Sequence, residues 1–281
     1  MAELLLATVN GQLVLLDTEI PEPEVVFQAA DDTALMGICR DQDFLFAAGL
    51  NRIYKFQKDD YQLLKKTRVY RPSPDFHQMN TYDGLIYITA TRRNQIWVYD
   101  RELRRTKKVK IRPPDPRRRV RYKKNYNHIN AIVKHKGDFY INLNWFSHQQ
   151  YGDSGVLKTD LEFNETGKFR YAWESHDFQF AGTKMMAICS TSGKDKKIIH
   201  PHRSGLMVDG KMVWDHNPDD SFCKALCYDK QHIFICGGMK AKRTRRKNTA
   251  GIIYVLDRDT YEPVRTIEHG KLRGLRGAMV I

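Results

Sequence analysis

The sequence lacks any apolar run long enough to cross a membrane as a helix. None of its runs approaches the roughly 18 uninterrupted apolar residues that such a helix needs. Its first residues, MAELLLATVNG, contain Glu3 and no basic segment, so we interpret them as a strand and not as a secretory signal. We therefore expect no membrane partner.

Cysteine is scarce, with five residues in 281, and the number is odd. Each cysteine lies inside an apolar run: Cys39, Cys189, Cys223, Cys227 and Cys236. The four-residue spacing of Cys223 and Cys227 has no second matching pair, so it does not predict a zinc site. The pattern indicates buried, reduced thiols and a reducing compartment, hence a cytoplasmic protein, with a virion location as an open alternative.

Acidic residues are nearly absent from two segments. Residues 104–124 contain twelve Lys or Arg and one acid, and residues 240–247 contain six Lys or Arg and no acid. Outside these segments 29 basic residues face 32 acidic ones, so the net charge of +14 is local. A localised positive charge is typical of a surface that binds an anion.

A helical period of 3.6 residues is also missing from every long window, which predicts little helix. Strand–turn–strand patterns occur instead, for example HQMNTYDGLIYITA, HINAIVKHKGDFYINLN and CKALCYDKQHIFICGG. Apolar strands joined by a short turn with Gly or Asp predict β-hairpins.

One short motif recurs along the chain: an apolar run that usually ends in Asp. The copies end at Asp17, Gln57, Asp100, Asp160, Asp209 and Asp257. Successive ends lie 40 to 60 residues apart, and the distance from the last copy round to the first is 41 residues. Repeats of this length with about four strands each are typical of β-propeller blades.

This pattern resembles the six-bladed β-propeller superfamily over the whole chain, and it is similar to propellers of the lactonase, lyase and sulfotransferase types. We predict an all-β, six-bladed propeller formed by residues 1–281 as a single domain. The closing run RGAMVI is predicted as the innermost strand of a blade whose other strands come from the N-terminus. Five or seven blades, or a sandwich, remain alternatives. The motifs are weakest in 161–222, where we predict strands near 175–181, 184–190, 205–209 and 211–216.

Propeller geometry places the basic segments on one face. Loops from second to third strand and from fourth to first strand share a face, which we call the top. Both basic segments lie in such loops, and the opposite turns are neutral to acidic. The resemblance implies that any reaction centre lies at the top mouth of the central channel.

Histidines and other polar residues are predicted at this mouth. Candidate catalytic residues are His77, His128, His176 and Arg276. Candidate ligand-binding residues are Asp75, Asn130, Arg92, Arg93, Arg117, Arg118, Arg119, Arg121, Lys123, Lys124, Lys224, Lys242, Arg243, Arg245, Arg246 and Arg273. Imidazoles suit acid–base chemistry, and Lys and Arg bind phosphate, sulfate or carboxylate.

Three functions remain open, of which we favour the first and place the second next. The first is a binding module for a polyanion, such as nucleic acid or acidic polysaccharide, or for an acidic protein surface. The second is a hydrolase, lyase or transferase that acts on an anionic substrate at the channel mouth. The third is a structural component of a larger, even virion-type, assembly or oligomer. No cofactor is predicted; a divalent metal at the mouth stays open, although no metal-ligand spacing marks one.

Overall fold

The computed structural model describes residues 2–30, 33–114, 125–146, 153–190, 204–216, 221–239 and 248–281. These residues form 24 strands in six four-stranded antiparallel sheets, and one 3₁₀ turn at Thr91–Arg93. The prediction of an all-β, six-bladed propeller is confirmed. Within the described ranges, no helix is both long and apolar enough to cross a membrane.

Each sheet is one blade, and its four strands run in order from the axis to the rim. Blade 1 contains β24 (Leu275–Val280), β1 (Glu3–Thr8), β2 (Gln12–Asp17) and β3 (Glu24–Gln28). Blade 2 contains β4 (Leu35–Arg40), β5 (Phe44–Gly49), β6 (Ile53–Gln57) and β7 (Leu63–Lys66). Blade 3 contains β8 (Phe76–Tyr82), β9 (Leu85–Ala90), β10 (Gln95–Asp100) and β11 (Arg105–Lys110).

The remaining blades follow the same order. Blade 4 contains β12 (Ile129–His135), β13 (Asp138–Leu143), β14 (Asp153–Thr159) and β15 (Glu165–Trp173). Blade 5 contains β16 (Ser175–Ala181), β17 (Lys184–Cys189), β18 (Ser204–Val208) and β19 (Lys211–His216). Blade 6 contains β20 (Ser221–Tyr228), β21 (His232–Met239), β22 (Ala250–Asp257) and β23 (Pro263–Arg273). Blade 5 was the part with the weakest motifs, and its strands lie within one residue of the predicted bounds.

The ring closes in blade 1 as predicted. β24 pairs antiparallel with β1, with Leu4 opposite Val280 and Leu6 opposite Ala278. The amide of Ile281 also donates to the carbonyl of Glu3 at 2.9 Å. The two chain segments that are farthest apart in sequence therefore complete one sheet.

The recurring Asp lies at the end of the third strand, where it orders the turn to the fourth. The Oδ1 atom of Asp17 accepts the amide of Glu19 at 2.8 Å, and Asp100 accepts the amide of Glu102 at 2.9 Å. Asp257 does the same, and backbone hydrogen bonds from Thr260 and Asp259 lower the pKa of its carboxyl. Asp is favoured here because its short carboxylate caps nearby backbone amides. These turns lie on the bottom face and make it acidic.

The core lies between blades. The buried side chains of the described residues form six clusters, and each cluster joins one pair of neighbouring blades. Leu4 and Leu6 of blade 1, for example, pack with Phe234 and Ile253 of blade 6. All five cysteines are buried free thiols, as predicted. Burial raises the pKa of the Cys223 thiol to about 12, so this thiol is protonated at neutral pH.

Adjacent inner strands approach closely near the axis, which requires glycine at Gly37 in β4. A Cβ at this position would lie 2.3 Å from the carbonyl oxygen of His77 and 3.0 Å from Cα of Gln78. Both atoms belong to the backbone of β8, so they cannot rotate away. An added methyl group would force blades 2 and 3 apart.

We expect Gly37→Ala to lower the free energy of unfolding by about 1–3 kcal/mol, the usual cost of overpacking. Urea denaturation measures this loss. Gly270→Ala is the matched control, because Gly270 is exposed and its added Cβ would meet no atom within 4 Å. The control should change stability by less than about 0.5 kcal/mol. Equal effects of the two substitutions would contradict close inter-blade packing at Gly37.

Candidate functional site

A cavity of about 1000 Å³ opens at the top end of the central channel. The first strand of every blade contributes to its wall. The lining is mixed: amide, imidazole, carboxylate and cationic side chains lie beside apolar ones such as Met36, Leu50 and Phe222. A cavity of this size is large enough for a small ligand or for one end of a polymer.

A register irregularity in each first strand coincides with this wall. In β12 the pairing shifts between Ile129 and Ala131, and in β20 it shifts between Cys223 and Ala225. Comparable shifts occur in the other four first strands. A bulge re-aims the extra side chain, so each blade presents at least one residue to the channel. The residues at these shifts that line the cavity include Arg276, Met36, His77, Asn130, His176 and Lys224.

Three residues before first strands have left-handed backbone conformations. Asp75 has φ 58°, His128 has φ 48° and Glu174 has φ 41°, and all three line the cavity. Gly274 occupies the equivalent place before β24, with φ 57°. Left-handed conformations are uncommon for residues other than glycine, and they concentrate at functional sites. The fold thus places non-glycine side chains at strained positions around the mouth.

His176 is held between two partners. Its Nδ1 atom lies 2.7 Å from the carbonyl oxygen of Glu174, and its Nε2 atom lies against Nζ of Lys224. Since a carbonyl only accepts and an ammonium only donates, these contacts fit a neutral ring protonated at Nδ1. Burial first, and then the charge of Lys224, hold the pKa of His176 well below its usual range.

His77 faces both a carboxylate and a second imidazole. Its Nε2 atom lies 3.8 Å from Oδ1 of Asp75, and its ring centroid lies 5.5 Å from that of His128. Burial, followed by the charges of Arg276 and Lys224, lowers the pKa of His77 to about 3. His77 is therefore neutral at pH 7 and can exchange hydrogen bonds without carrying charge.

On the blade 4 side, His128 stacks on Trp145 with ring centroids 4.6 Å apart. The Nδ1 atom of His128 also lies 3.0 Å from the side-chain Nδ2 atom of Asn125. Asn130 donates from Nδ2 to the carbonyl oxygen of Ser175 at 2.6 Å. The Oδ1 atom of Asn130 is buried and accepts no hydrogen bond from the described residues.

Asp177 and Gln78 were missed by the sequence analysis. Gln78 of blade 3 donates from Nε2 to Oδ1 of Asp177 in blade 5, and its own Oε1 accepts the amide of Ile132 at 3.1 Å. Oδ2 of Asp177 accepts the amide of Leu226 in blade 6 at 2.8 Å. Burial raises the pKa of Asp177 to about 7 despite these bonds. The only available signal was the adjacency of Asp177 to His176 in a predicted first strand.

The structure brings together many of the predicted residues. The following line the cavity: Asp75, His77, Arg92, His128, Asn130, His176, Lys224 and Arg276. Arg93 and Arg273 are exposed and do not line it; they donate to the carbonyl oxygens of Pro72 and Gly270, each at 3.2 Å. The other candidates lie outside the described residues and stay predictions: Arg117, Arg118, Arg119, Arg121, Lys123, Lys124, Lys242, Arg243, Arg245 and Arg246.

Metal ligands do not converge in the described part of the chain. No group of three or more His, Cys, Asp or Glu side chains there has an arrangement that could hold a metal ion. Cations, imidazoles, amides and carboxylates are the polar groups that the cavity wall offers to a ligand.

The sequence matches no protein-family model, and no curated protein sequence matches it. Solved structures nevertheless share its architecture. A chain from the nidogen/laminin complex has a TM-score of 0.65 at 11% identity, with 100% of this chain and 98% of that chain covered. A protein of unknown function from Bacteroides caccae has a TM-score of 0.68 at 10% identity, with coverage of 100% and 99%.

A third similar structure is a catalytically inactive variant of virginiamycin B lyase from Staphylococcus aureus with quinupristin. Its TM-score is 0.54 at 12% identity, with 81% of this chain and 71% of that chain covered. Identities this low establish the fold and leave function open. The chain is a six-bladed β-propeller of the kind found in both binding proteins and enzymes.

Proposed function

We propose that this chain is a binding module that holds an anionic ligand on its top face, with one anionic group of the ligand in the cavity. The convergence of Arg92, Lys224 and Arg276 on the cavity carries this proposal. Guanidinium and ammonium groups bind phosphate, sulfate and carboxylate through charge-assisted hydrogen bonds.

The carboxylates of the cavity offset part of this positive charge. Asp75 and Glu174 line the wall with the three cations, and burial raises the pKa of Asp177 to about 7, so its carboxyl is only partly ionised at neutral pH. Burial is the main cause of the lowered pKa of His77, and the positive charges of Arg276 and Lys224 lower this pKa further. Neutral imidazoles beside three cations add hydrogen-bonding capacity without adding repulsion for an anion.

The fold agrees with a binding role. It is shared with a chain of the nidogen/laminin complex, in which a propeller-like chain takes part in a protein complex. Electrostatic attraction to the top face would bring a charged ligand toward the cavity, while the bottom face with its Asp-capped turns would repel it. The basic loops at 115–124 and 240–247, which lie outside the described residues, would add to this attraction by their composition.

We expect the protein to bind at least one member of a panel of anions: single- and double-stranded nucleic acid, sulfated glycan, polyuronate and inorganic phosphate. Arg276→Gln should weaken that binding by about tenfold or more, the value of one hydrogen bond to a charged group. Arg273→Gln is the control, because it removes the same charge from the same face at an exposed position outside the cavity. Titration at several salt concentrations measures both effects.

Two outcomes would contradict the proposal. One is an affinity for every panel member no greater than that of an unrelated basic protein of similar charge. The other is an equal loss in Arg276→Gln and Arg273→Gln, which would indicate general attraction and no anion site in the cavity.

The protonation of His77 gives a second prediction. By NMR, the His77 ring should stay neutral from pH 8 down to about pH 4, since its pKa is lowered to about 3. Arg276→Gln removes a positive charge and should raise this pKa toward the ordinary histidine value near 6.5. A bound anion should shift it in the same direction. A His77 ring that titrates near pH 6.5 in the wild type would contradict a positive cavity.

Catalysis is the second candidate function. It is favoured by His77, His128 and His176 in one cavity with Asp177, whose pKa of about 7 suits proton transfer at neutral pH. One protein of similar fold is a lyase. The reaction would be hydrolysis, elimination or group transfer on an anionic substrate.

If this second candidate is right, the protein should slowly convert at least one anion of the panel. The measurement is the appearance of unsaturated or shortened products. His77→Asn and His128→Asn should abolish the turnover, because each removes an imidazole from the cavity. Anion affinity should stay close to wild type, because the three cations remain. Intact panel members after long incubation with wild-type protein would exclude catalysis on these substrates.

A further inference from the structure

Exposed basic side chains form a strip on the top of blades 2 and 3. We call them the basic strip: Lys66, Arg68, Arg71, Arg92, Arg93, Lys110 and Arg112. No side chain of the basic strip forms an ion pair with a carboxylate of the described residues. None of these residues belongs to the basic segments 115–124 and 240–247, which lie outside the described residues.

Backbone and side-chain contacts make the strip continuous. Arg93 donates from Nη2 to the carbonyl oxygen of Pro72 at 3.2 Å, which joins the 3₁₀ turn to the connection between β7 and β8. Beyond the turn, the amide of Ile111 donates to the carbonyl of Asn94 at 2.9 Å, which joins the end of β11 to the same turn. Three chain segments from two blades thus meet at the top surface.

The strip leads from the rim to the cavity. Lys66 and Lys110 lie at the top ends of the outermost strands β7 and β11. Arg92, in the 3₁₀ turn, is exposed and also lines the cavity. An extended ligand can therefore contact cations along the top surface and place one end in the channel mouth.

Four basic residues close to the strip have carboxylate partners, whereas Arg105 and Lys108 lie over the ring of Trp97. Lys55 and Lys65 pair with Glu102, Arg104 pairs with Asp100, and Lys107 lies 3.7 Å from Glu162. The acidic partners of blade 3 are in the bottom turn, so they do not reach the strip. A solvated basic surface has no need of such segregation, whereas a surface for a polyanion does.

The cavity at the end of the strip has groups suited to a nucleobase. The side-chain amides of Asn125 and Asn130 line it, and amides of this kind hydrogen-bond the edges of unpaired bases. The half-buried Trp145, stacked on His128, adds an aromatic wall. Amides and aromatic rings together are the usual means of holding an unpaired base.

We infer that the basic strip binds the phosphate backbone of single-stranded nucleic acid and that the cavity takes an unpaired base at one end of the strand. This inference rests on the proposed function and names its ligand. A duplex is excluded from the cavity, because its bases are stacked and paired and cannot enter a channel mouth. Sulfated glycan could contact the strip but has no base for the cavity.

The test compares two triple variants that lose the same charge. Arg68→Ser, Arg71→Ser and Lys110→Ser together remove three cations of the strip. Lys136→Ser, Lys211→Ser and Lys230→Ser remove three exposed cations from bottom turns. All six side chains are exposed, so folding should be retained, and thermal unfolding checks this. The probe is a labelled single-stranded oligonucleotide, measured by fluorescence anisotropy at several salt concentrations.

We expect the strip variant to give a shallower slope of log affinity against log salt, by about 2, because each phosphate contact on a single strand contributes about 0.7. The bottom-face control should keep the wild-type slope. An oligonucleotide that keeps its backbone but has abasic terminal nucleotides should bind the wild-type protein about tenfold more weakly. This loss corresponds to one base-stacking contact.

Equal slopes for the two variants would overturn the inference that the basic strip binds the phosphate backbone. Tighter binding of a duplex of the same sequence, or of a sulfated glycan of equal charge, would overturn the choice of single-stranded nucleic acid. If the strip variant behaves as wild type while Arg276→Gln still weakens anion binding, this inference fails and the proposed function stands. If Arg276→Gln also has no effect, both fail.

Discussion

The pairing of β24 with β1 is the contact on which the rest of the architecture depends. It holds the two ends of the described chain in one sheet, with Leu5 opposite Met279 and Ala7 opposite Gly277. Because the buried clusters lie between blades, each blade needs a neighbour on both sides. Closure gives blade 1 both neighbours and brings Arg276 into the same channel as His77 and Lys224. Without this pairing the mouth of the channel would lack one of its three cations.

The two faces differ in charge because their turns differ in chemistry. Bottom turns are short and need a side-chain acceptor for free backbone amides, and Asp meets this need at Asp17, Asp100, Asp160 and Asp257. Top connections are longer in several blades and carry no such requirement, so they can hold Lys and Arg. The asymmetry is thus partly a consequence of folding, and the proposed anion site uses the face whose turns do not need Asp as a cap.

Much of the architecture could be predicted from the residues. Hairpin patterns located the first and second strands, the closing Asp located most third strands, and the repeat length indicated six blades. The placement of His77 and His176 near the top of first strands also followed, because the direction of each strand alternates along the chain. The contact between Gln78 and Asp177 could not be predicted, because it crosses from blade 3 to blade 5 and depends on the width of the channel.

The sequence by itself determined the strands and the repeat, since these depend on local side-chain alternation and turn chemistry. Only the tertiary structure decided that Arg92 and Arg276 line the cavity while Arg93 and Arg273 do not. Arg92 and Arg93 are consecutive arginines in the same turn, so the sequence alone does not distinguish their roles. Their side chains diverge because the packing of one blade against the next sets which of them points toward the channel.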